Sequence, residues 1–242
     1  MRRRVLLPAL AGATVVALGA GLWTAPRWLV PRIAAREPRC LYHVPTREPL
    51  VALTVDDGPD AARTPEILDV LRAHEARATL FVISSHAAGQ DALLRRAVAE
   101  GHELGNHLTR DETSARLDAA AFEAAMREAG AALARFAPVR WLRPGGGWYT
   151  TAMLDAAERA GYRCVLGSVY PYDAHLPSAR LATAYILANV RPGAVVVLHD
   201  RGARGRRTAE TLRRVLPELA RRGYRVVTLS ELVRLGGPIP GS

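Results

Sequence analysis

The chain of 242 residues is long enough for one domain with a complete hydrophobic core, and its composition, 49% hydrophobic and 23% charged, excludes a mainly disordered protein. The formal charge is +10 at pH 7, but residues 1–50 alone hold eight arginines against two glutamates. We therefore attribute the excess to an N-terminal membrane signal and exclude a nucleic-acid-binding face as its main cause.

Residues 1–25 have the pattern of a membrane anchor or a signal peptide. Three arginines at residues 2–4 precede an uncharged apolar run from about residue 5 to residue 25. A run of about 20 such residues spans a bilayer, whereas the small-x-small sequence at residues 17–19 would also allow cleavage of a signal peptide. The positive-inside rule places the arginines in the cytoplasm and the rest of the chain outside, so we expect a membrane contact through this segment.

Residues 26–48 contain four prolines and five arginines, a composition that predicts a juxtamembrane linker, and residues 236–242 are a short tail. Two cysteines, Cys40 and Cys164, leave two interpretations open. They can form a disulfide if this part of the chain is outside the cytoplasm, or each can be a small buried apolar residue.

Between these ends, over residues 49–235, predicted strands and helices alternate. The predicted strands are residues 51–55, 79–83, 103–104, 141–143, 163–166, 194–198 and 224–229. The predicted helices are residues 64–74, 90–100, 119–136 after an Asp118 N-cap, 151–160, 179–189 and 208–222. Such alternation predicts parallel βα units, hence an α/β fold that is a short or distorted barrel. A doubly wound open sheet is the alternative.

Asp56 and Asp57 end the first predicted strand, within the motif Thr-Val-Asp-Asp-Gly-Pro at residues 54–59. Two adjacent carboxylates repel each other unless a cation binds or one of them takes up a proton. A metal ligand beside a base would explain the pair. A simple turn of the kind that Asp-Gly-Pro often makes is the alternative.

His107 and Asp111 lie four residues apart, after the third predicted strand. On a helical turn this spacing puts both side chains on one face. Together with an aspartate of the first motif they would provide three metal ligands and leave one position open for water. A hydrogen-bonded core histidine and a loop or capping acid are the alternatives.

Three more strand ends carry polar residues. Arg143 precedes Pro-Gly-Gly-Gly-Trp at residues 144–148, where the glycines would allow backbone N–H groups to approach a ligand. Asp173 ends a Tyr-Pro-Tyr-Asp sequence, and His199 ends a β-branched run, which suits a general acid. Each motif alone also fits an ordinary turn, but α/β proteins build active sites at the carboxyl ends of parallel strands.

In this order and at these strand ends, the motifs resemble the polysaccharide deacetylase family with the NodB homology domain, carbohydrate esterase family 4. The resemblance covers about residues 48–232, and its specific matches are Thr-x-Asp-Asp-Gly-Pro, Arg-Pro-x-x-Gly and Leu-His-Asp. It implies a NodB-like distorted (β/α) barrel of about seven parallel strands. It also implies metal-dependent hydrolysis of N-acetyl or O-acetyl groups from a polysaccharide, with an N-acetylglucosamine-containing cell-envelope polymer as the expected substrate.

The resemblance also implies a role for each site residue. Asp56 would be the general base, held by Arg143, and His199 the general acid, oriented by Asp173. The expected substrate-facing positions are Gly146, whose N–H would donate to the oxyanion, Leu198 in the acetyl pocket, and Trp148 and Tyr172.

By the same resemblance, Asp57, His107 and Asp111 are the ligands of a divalent metal, expected to be Zn²⁺, with Mn²⁺, Co²⁺ or Ni²⁺ as alternatives. The family usually has a second histidine at the position of Asp111, and the additional carboxylate favours harder metals somewhat. A tryptophan expected after Asp173 is replaced by Ala174, so one wall of the groove is altered or supplied by another aromatic residue.

These two departures keep two other functions open: a metal-dependent deacylase or amide hydrolase for a smaller substrate, and a non-catalytic carbohydrate-binding barrel. The presence of the other motif residues favours the polysaccharide deacetylase. We expect a monomeric, extracytoplasmic enzyme, membrane-anchored or secreted, with no nucleic-acid partner.

Overall fold

The structure is a computed structural model that describes residues 21, 23–173, 175 and 177–237. Most of the predicted anchor or signal peptide, and most of the predicted tail, lie outside these residues. Within the part of the chain that is described, no helix is both long and apolar enough to cross a membrane.

The strands of the described chain all belong to one sheet. They are β1 (Cys40–Leu41), β2 (Leu50–Gly58), β3 (Ala78–Val82), β4 (Glu103–Asn106), β5 (Trp141–Leu142), β6 (Arg163–Val165), β7 (Ala194–His199) and β8 (Arg225–Val227). The α-helices are α1 (Ala25–Trp28), α2 (Val30–Ala34), α3 (Thr64–Ala73), α4 (Asp91–Ala99), α5 (Ala119–Ala134), α6 (Thr151–Arg159), α7 (Ala179–Asn189), α8 (Gly202–Arg221) and α9 (Leu229–Gly236).

The strands follow one another around the sheet in the order β1-β6-β5-β4-β3-β2-β7, and β8 also pairs with β2. Every strand pair is parallel. From β2 to β6 the chain always moves to the neighbouring position in the same direction, whereas a doubly wound sheet reverses direction at a switch point. The structure therefore confirms the predicted distorted barrel and excludes the open-sheet alternative.

Strand β2 pairs with three other strands, β3, β7 and β8, and all nine of its residues are buried. Leu53 and Val55 pack into the larger core cluster, together with buried leucines of α3 and α8, and Ala52 packs into a second cluster on the other side of the sheet. Each face of β2 is therefore covered. This burial explains why its sequence is a nearly continuous apolar run instead of alternating with polar residues.

Part of the predicted linker belongs to the folded domain. Cys40–Leu41 pairs with β6 in a register that joins Cys40 to Cys164, and the Val44 N–H donates to the Gly193 carbonyl at 2.9 Å. The two cysteines are free thiols, both buried, with their Sγ atoms 3.5 Å apart. They are therefore neighbours, and in this structure they do not form the disulfide.

Two boundaries near the C-terminus differ from the prediction. The last strand ends at Val227 and not at residue 229, because the Thr228 side chain accepts a hydrogen bond from the Glu231 N–H and begins helix α9. Helix α8 begins at Gly202, six residues before the predicted start at residue 208. The additional turn contains Arg204 and lies at the carboxyl end of β7.

Candidate active site

The predicted site residues gather at the carboxyl ends of the strands, around an open cavity of about 800 Å³. The site residues among its lining are Asp56, Asp57, His107, Asp111, Arg143, Gly146 and His199. Residues from β2, β4, β5 and β7, or from the loops that follow them, thus meet in one place, as the parallel strands require.

Asp56 and Asp57 both face this cavity although they are consecutive residues of one strand. Regular alternation would send their side chains to opposite faces of the sheet. The register between β2 and β3 shifts between Asp56 and Gly58, and Asp57 has a φ of 73°, in the left-handed region that aspartate tolerates better than most residues. This bulge re-aims Asp57 and places two carboxylates in one site.

Asp56 is held by a buried arginine. Its Oδ1 accepts a hydrogen bond of 2.6 Å from Arg143 Nη1, which also donates to Thr54 Oγ1 at 2.8 Å. Arg143 Nε donates to the Val165 carbonyl at 3.1 Å, and its guanidinium carbon lies 4.1 Å from the centre of the Phe81 ring. The four contacts fix the guanidinium and orient the Asp56 carboxylate.

His199 is held in a similar way by Asp173. Its Nδ1 lies 3.0 Å from each Asp173 carboxylate oxygen, and its backbone N–H donates to Asp173 Oδ2 at 3.0 Å. Burial acts to lower the pKa of His199, but Asp173, with the charges of Asp56 and Asp57, outweighs burial and raises the pKa. Since Nδ1 faces Asp173, Nε2 is the ring nitrogen that can exchange a proton with a molecule in the cavity.

Asp57 and His107 form a second pair. His107 Nδ1 donates to the Arg143 carbonyl at 2.6 Å, and Nε2 lies 3.5 Å from Asp57 Oδ1. Burial acts to raise the pKa of Asp57, but the hydrogen bond from His107 and the charges of His107, His199 and Arg204 lower it to about 2. Asp57 is therefore an anion at neutral pH. It lies next to Nε2 of His107, the ring nitrogen of that histidine that does not contact the Arg143 carbonyl.

Asp111 does not join this pair directly. Its side chain is half exposed, and its Oδ2 lies 3.5 Å from Arg204 Nη2, while Arg204 Nη1 lies 2.9 Å from Asp57 Oδ2. Among the described residues, no group of three or more His, Cys, Asp or Glu side chains has the spacing of a metal site. Two of the three predicted ligands are thus adjacent, and a guanidinium lies between them and the third.

Gly146 lies in a short 3₁₀ turn, Gly145–Gly147, that lines the cavity. Its φ is 75°, and a Cβ at this position would lie 3.0 Å from the Thr113 methyl group. An L-residue would therefore be strained here. The Gly145 N–H donates to Ser114 Oγ at 2.7 Å, which fixes the turn at the cavity wall.

The structure corrects one substrate-facing position. Leu198 was expected in the acetyl pocket, but it is fully buried in the core cluster between the sheet and the helices. Its neighbours Val197 and His199 line the cavity, because side chains alternate between the two faces of β7. Val197 therefore lies at the cavity wall where Leu198 was expected.

Two predicted aromatic positions are not among the cavity-lining residues. Trp148 is 68% exposed. Tyr172 has a φ of 57°, and its ring packs edge to face against Tyr170 and Tyr185. Tyr170 does line the cavity, and its ring lies 5.7 Å from that of His199, so it forms the aromatic wall beside the candidate acid.

Arg204 is the main residue of the site that sequence reasoning missed. The sequence places it within an arginine-rich stretch, Arg-Gly-Ala-Arg-Gly-Arg-Arg at residues 201–207, which resembles a solvated surface. The sequence did contain a signal that Arg204 lies near the site, because this stretch directly follows His199 and Asp200 at the end of a strand. Its helical start, however, could not be recognised from a sequence so rich in glycine and arginine.

Chemically, the site combines two fixed titratable groups, Asp56 and His199, with the adjacent side chains of Asp57 and His107. Asp56 and His199 are register partners on the adjacent strands β2 and β7, so the carboxylate and the imidazole flank the same space. A carboxylate that accepts a proton and an imidazolium that donates one are the groups required for hydrolysis of an amide or ester.

Comparisons with known proteins agree with this arrangement. A family model described as Polysaccharide deacetylase matches residues 43–165. The peptidoglycan-N-acetylglucosamine deacetylase of Bacillus cereus is 35% identical over 196 residues, which are 80% of this chain and 92% of that protein. The chitooligosaccharide deacetylase of Bradyrhizobium sp. is 36% identical over 196 residues, 75% of this chain and 90% of that protein.

Among solved structures, a peptidoglycan N-acetylglucosamine deacetylase in complex with a naphthalenyl N-hydroxybenzamide superposes with a TM-score of 0.78. The two chains are 29% identical in sequence, and the match covers 83% of this chain and 95% of the other. The similarity therefore extends over nearly the whole length of that protein and includes the barrel.

Proposed function

Because this chain belongs to the polysaccharide deacetylase family, we propose that it hydrolyses the N-acetyl groups of N-acetylglucosamine residues in a cell-envelope polysaccharide. The products would be acetate and a free amino sugar. One observation carries the proposal: Asp56 and His199 lie side by side on paired strands, each fixed by its own buried partner, and face one cavity.

Asp56 would act as the general base. Its Oδ1 accepts a hydrogen bond from Arg143, and the residue is only 4% exposed, so the orientation of the carboxylate is fixed. It would take the proton of a water molecule as that water attacks the acetyl carbonyl carbon. Arg143 serves to hold the base in place and has no separate chemical step.

The negative charge that develops on the carbonyl oxygen needs a donor in the cavity. The turn that contains Gly146 lines the cavity and is fixed through Ser114. We assign the Gly146 N–H to the oxyanion, because a backbone donor held in a rigid turn needs little reorganisation during the reaction. Val197 and Tyr170 would form the apolar and aromatic walls on the side of His199.

His199 would act as the general acid. Asp173 raises the pKa of His199 and therefore keeps the imidazolium populated to higher pH. Proton transfer from Nε2 to the departing nitrogen would complete the cleavage of the C–N bond and release the amine.

The donor atoms of Asp57 and His107 fit a divalent metal. The Nδ1–H of His107 is held by a backbone carbonyl, which is the usual arrangement for a metal-binding histidine and leaves Nε2 free. Asp57 Oδ2 is buried and accepts no hydrogen bond from a described residue. We propose that these two residues hold the metal and that Asp111 is the third ligand. When bound there, the metal supplies Lewis acidity.

The expected metal is Zn²⁺, because one imidazole and two carboxylates are common zinc ligands, with Mn²⁺, Co²⁺ and Ni²⁺ as alternatives. The substrate class is supported by the relatives, one acting on peptidoglycan N-acetylglucosamine and the other on chitooligosaccharides. Such a substrate, together with the basic and apolar N-terminal sequence, supports an extracytoplasmic location.

The decisive experiment measures acetate release by the full chain after removal of metal. The substrates are N-acetylglucosamine oligomers, peptidoglycan and acetylated xylan, each with Zn²⁺, Mn²⁺, Co²⁺ or no metal. The Asp56→Asn variant is compared with Asp118→Asn, an equivalent change at the N-cap of α5, where asparagine also caps a helix.

We expect metal-dependent release from at least one N-acetylated substrate and a loss of about 10²- to 10⁴-fold in kcat for Asp56→Asn, with little change for Asp118→Asn. Release that survives Asp56→Asn would refute the base assignment. Release from acetylated xylan alone would move the function to O-deacetylation. No release from any polymer, with metal still bound, would favour a smaller acyl substrate.

A further inference from the structure

The most unusual feature of the site is the position of Arg204. Its guanidinium lies between Asp57 and Asp111, with Nη1 2.9 Å from Asp57 Oδ2 and Nη2 3.5 Å from Asp111 Oδ2. We infer that Arg204 competes with the metal for Asp57 and thereby sets the metal affinity of the site. The inference rests on the metal site proposed above.

The contact between Arg204 and Asp57 is an ion pair that metal can replace. Although Nη1 is close to Asp57 Oδ2, this buried oxygen accepts no hydrogen bond from any residue that the structure describes. The guanidinium therefore neutralises the carboxylate by charge, while the directional lone pair is not used. A metal ion uses that lone pair and also supplies the charge, so it satisfies Asp57 more completely.

The exposure of the two partners is unequal. The Arg204 side chain is 30% exposed, whereas that of Asp57 is 5% exposed. Asp57 is fixed by the β-bulge at the end of β2, so it cannot follow the arginine. Arg204 can withdraw toward solvent, since its long side chain starts from the first turn of α8 at the cavity edge.

The location of Arg204 in its helix gives an independent energetic reason for its contact with the two aspartates. The first turn of α8 contains no acidic residue, and a cation there faces the positive end of the helix dipole. Such a position is unfavourable for arginine unless nearby anions offset it. Asp57 and Asp111 provide these anions.

Metal binding and this ion pair oppose each other. A divalent cation held by Asp57 would lie close to the guanidinium, and two positive charges at such a distance repel each other strongly. Departure of Arg204 would release Asp57 and Asp111 together, which would complete the ligand set that the described arrangement lacks.

The test compares metal affinity in the wild-type chain, Arg204→Gln and Arg206→Gln. Arg206 is exposed, lies one half-turn further along α8 and loses the same charge, so it controls for net charge and helix composition. Each metal-free protein is titrated with Zn²⁺ and with Co²⁺ against a chromogenic chelator of known affinity, which reports Kd without any measurement of activity.

We expect Arg204→Gln to bind metal about tenfold more tightly than wild type or better, since groups beside a metal site change its affinity by about 10- to 100-fold. Arg206→Gln should stay within about twofold. Thermal unfolding provides a second readout: the metal-free Arg204→Gln protein should unfold at a lower temperature than wild type and gain more from added Zn²⁺.

Equal affinities in wild type and Arg204→Gln would overturn the inference, and so would weaker binding in the variant, which would make Arg204 a support of the metal site. Either result would leave the proposed deacetylation intact if acetate release still depends on metal. Absence of metal binding in all three proteins would overturn both the inference and the metal site on which it rests.

Discussion

Replacement of Arg143 by methionine tests whether the base is held by a buried ion pair. The arginine side chain is 3% exposed and donates hydrogen bonds to Asp56, Thr54 and the Val165 carbonyl. Methionine fills a similar volume but leaves the Asp56 carboxylate buried without its counter-ion. Removal of one partner from a buried pair destabilises a protein by about 3–5 kcal/mol.

In a chain of this length, 1 kcal/mol corresponds to about 2–4 °C in the unfolding temperature, so Arg143→Met should lower Tm by about 6–20 °C. Calorimetry or circular dichroism measures this shift. The matched control is Arg135→Met, which removes a 2.9 Å ion pair with Asp91 whose side chains are both largely exposed. That change should cost less than about 1 kcal/mol.

A double-mutant cycle separates the charge from the packing. In an Asp56→Asn background the carboxylate that pairs with Arg143 is absent, so Arg143→Met should cost less there than in wild type, by about 1–3 kcal/mol. An equal loss of Tm in the two backgrounds would refute the ion-pair argument. A loss no larger than that of the Arg135→Met control would also refute it.

Three further predictions concern the other site residues and the two cysteines. Asp173→Asn removes the main cause that raises the pKa of His199, so the alkaline limb of the pH–kcat profile should move to lower pH, and kcat should fall about tenfold or more; an unchanged limb would contradict the assignment. Oxidised glutathione should join Cys40 and Cys164, seen as a loss of two thiols by mass spectrometry, with a stabilisation of about 4–5 kcal/mol if the bond forms without strain; two thiols that persist would contradict it. Asp111→Ala should weaken metal binding by about tenfold or more in the chelator assay, and an unchanged Kd would remove Asp111 from the ligands.

Much of the fold could be predicted because its signals are local. Strand β2 is a continuous apolar run followed by two aspartates, and the helix after Asp118 begins with a capping side chain that accepts from the Ala121 N–H. The prediction failed where local signals conflicted with long-range pairing. Cys40–Leu41 forms a strand because it pairs with the edge of β6. The proline-rich sequence around it, by contrast, is typical of a linker.

The sequence by itself determined the parallel α/β class and the inventory of chemical groups, because parallel strands bring their carboxyl ends together regardless of loop details. Only the tertiary structure decided which of these groups meet. The bulge at Asp57 turns a second carboxylate into the cavity, and alternation along β7 puts Val197, not Leu198, beside His199. The placement of Arg204 between Asp57 and Asp111 depends on where a helix begins and on charges from distant parts of the chain. No local sequence pattern predicts this contact, because its residues are far apart in sequence and come together only when the barrel folds.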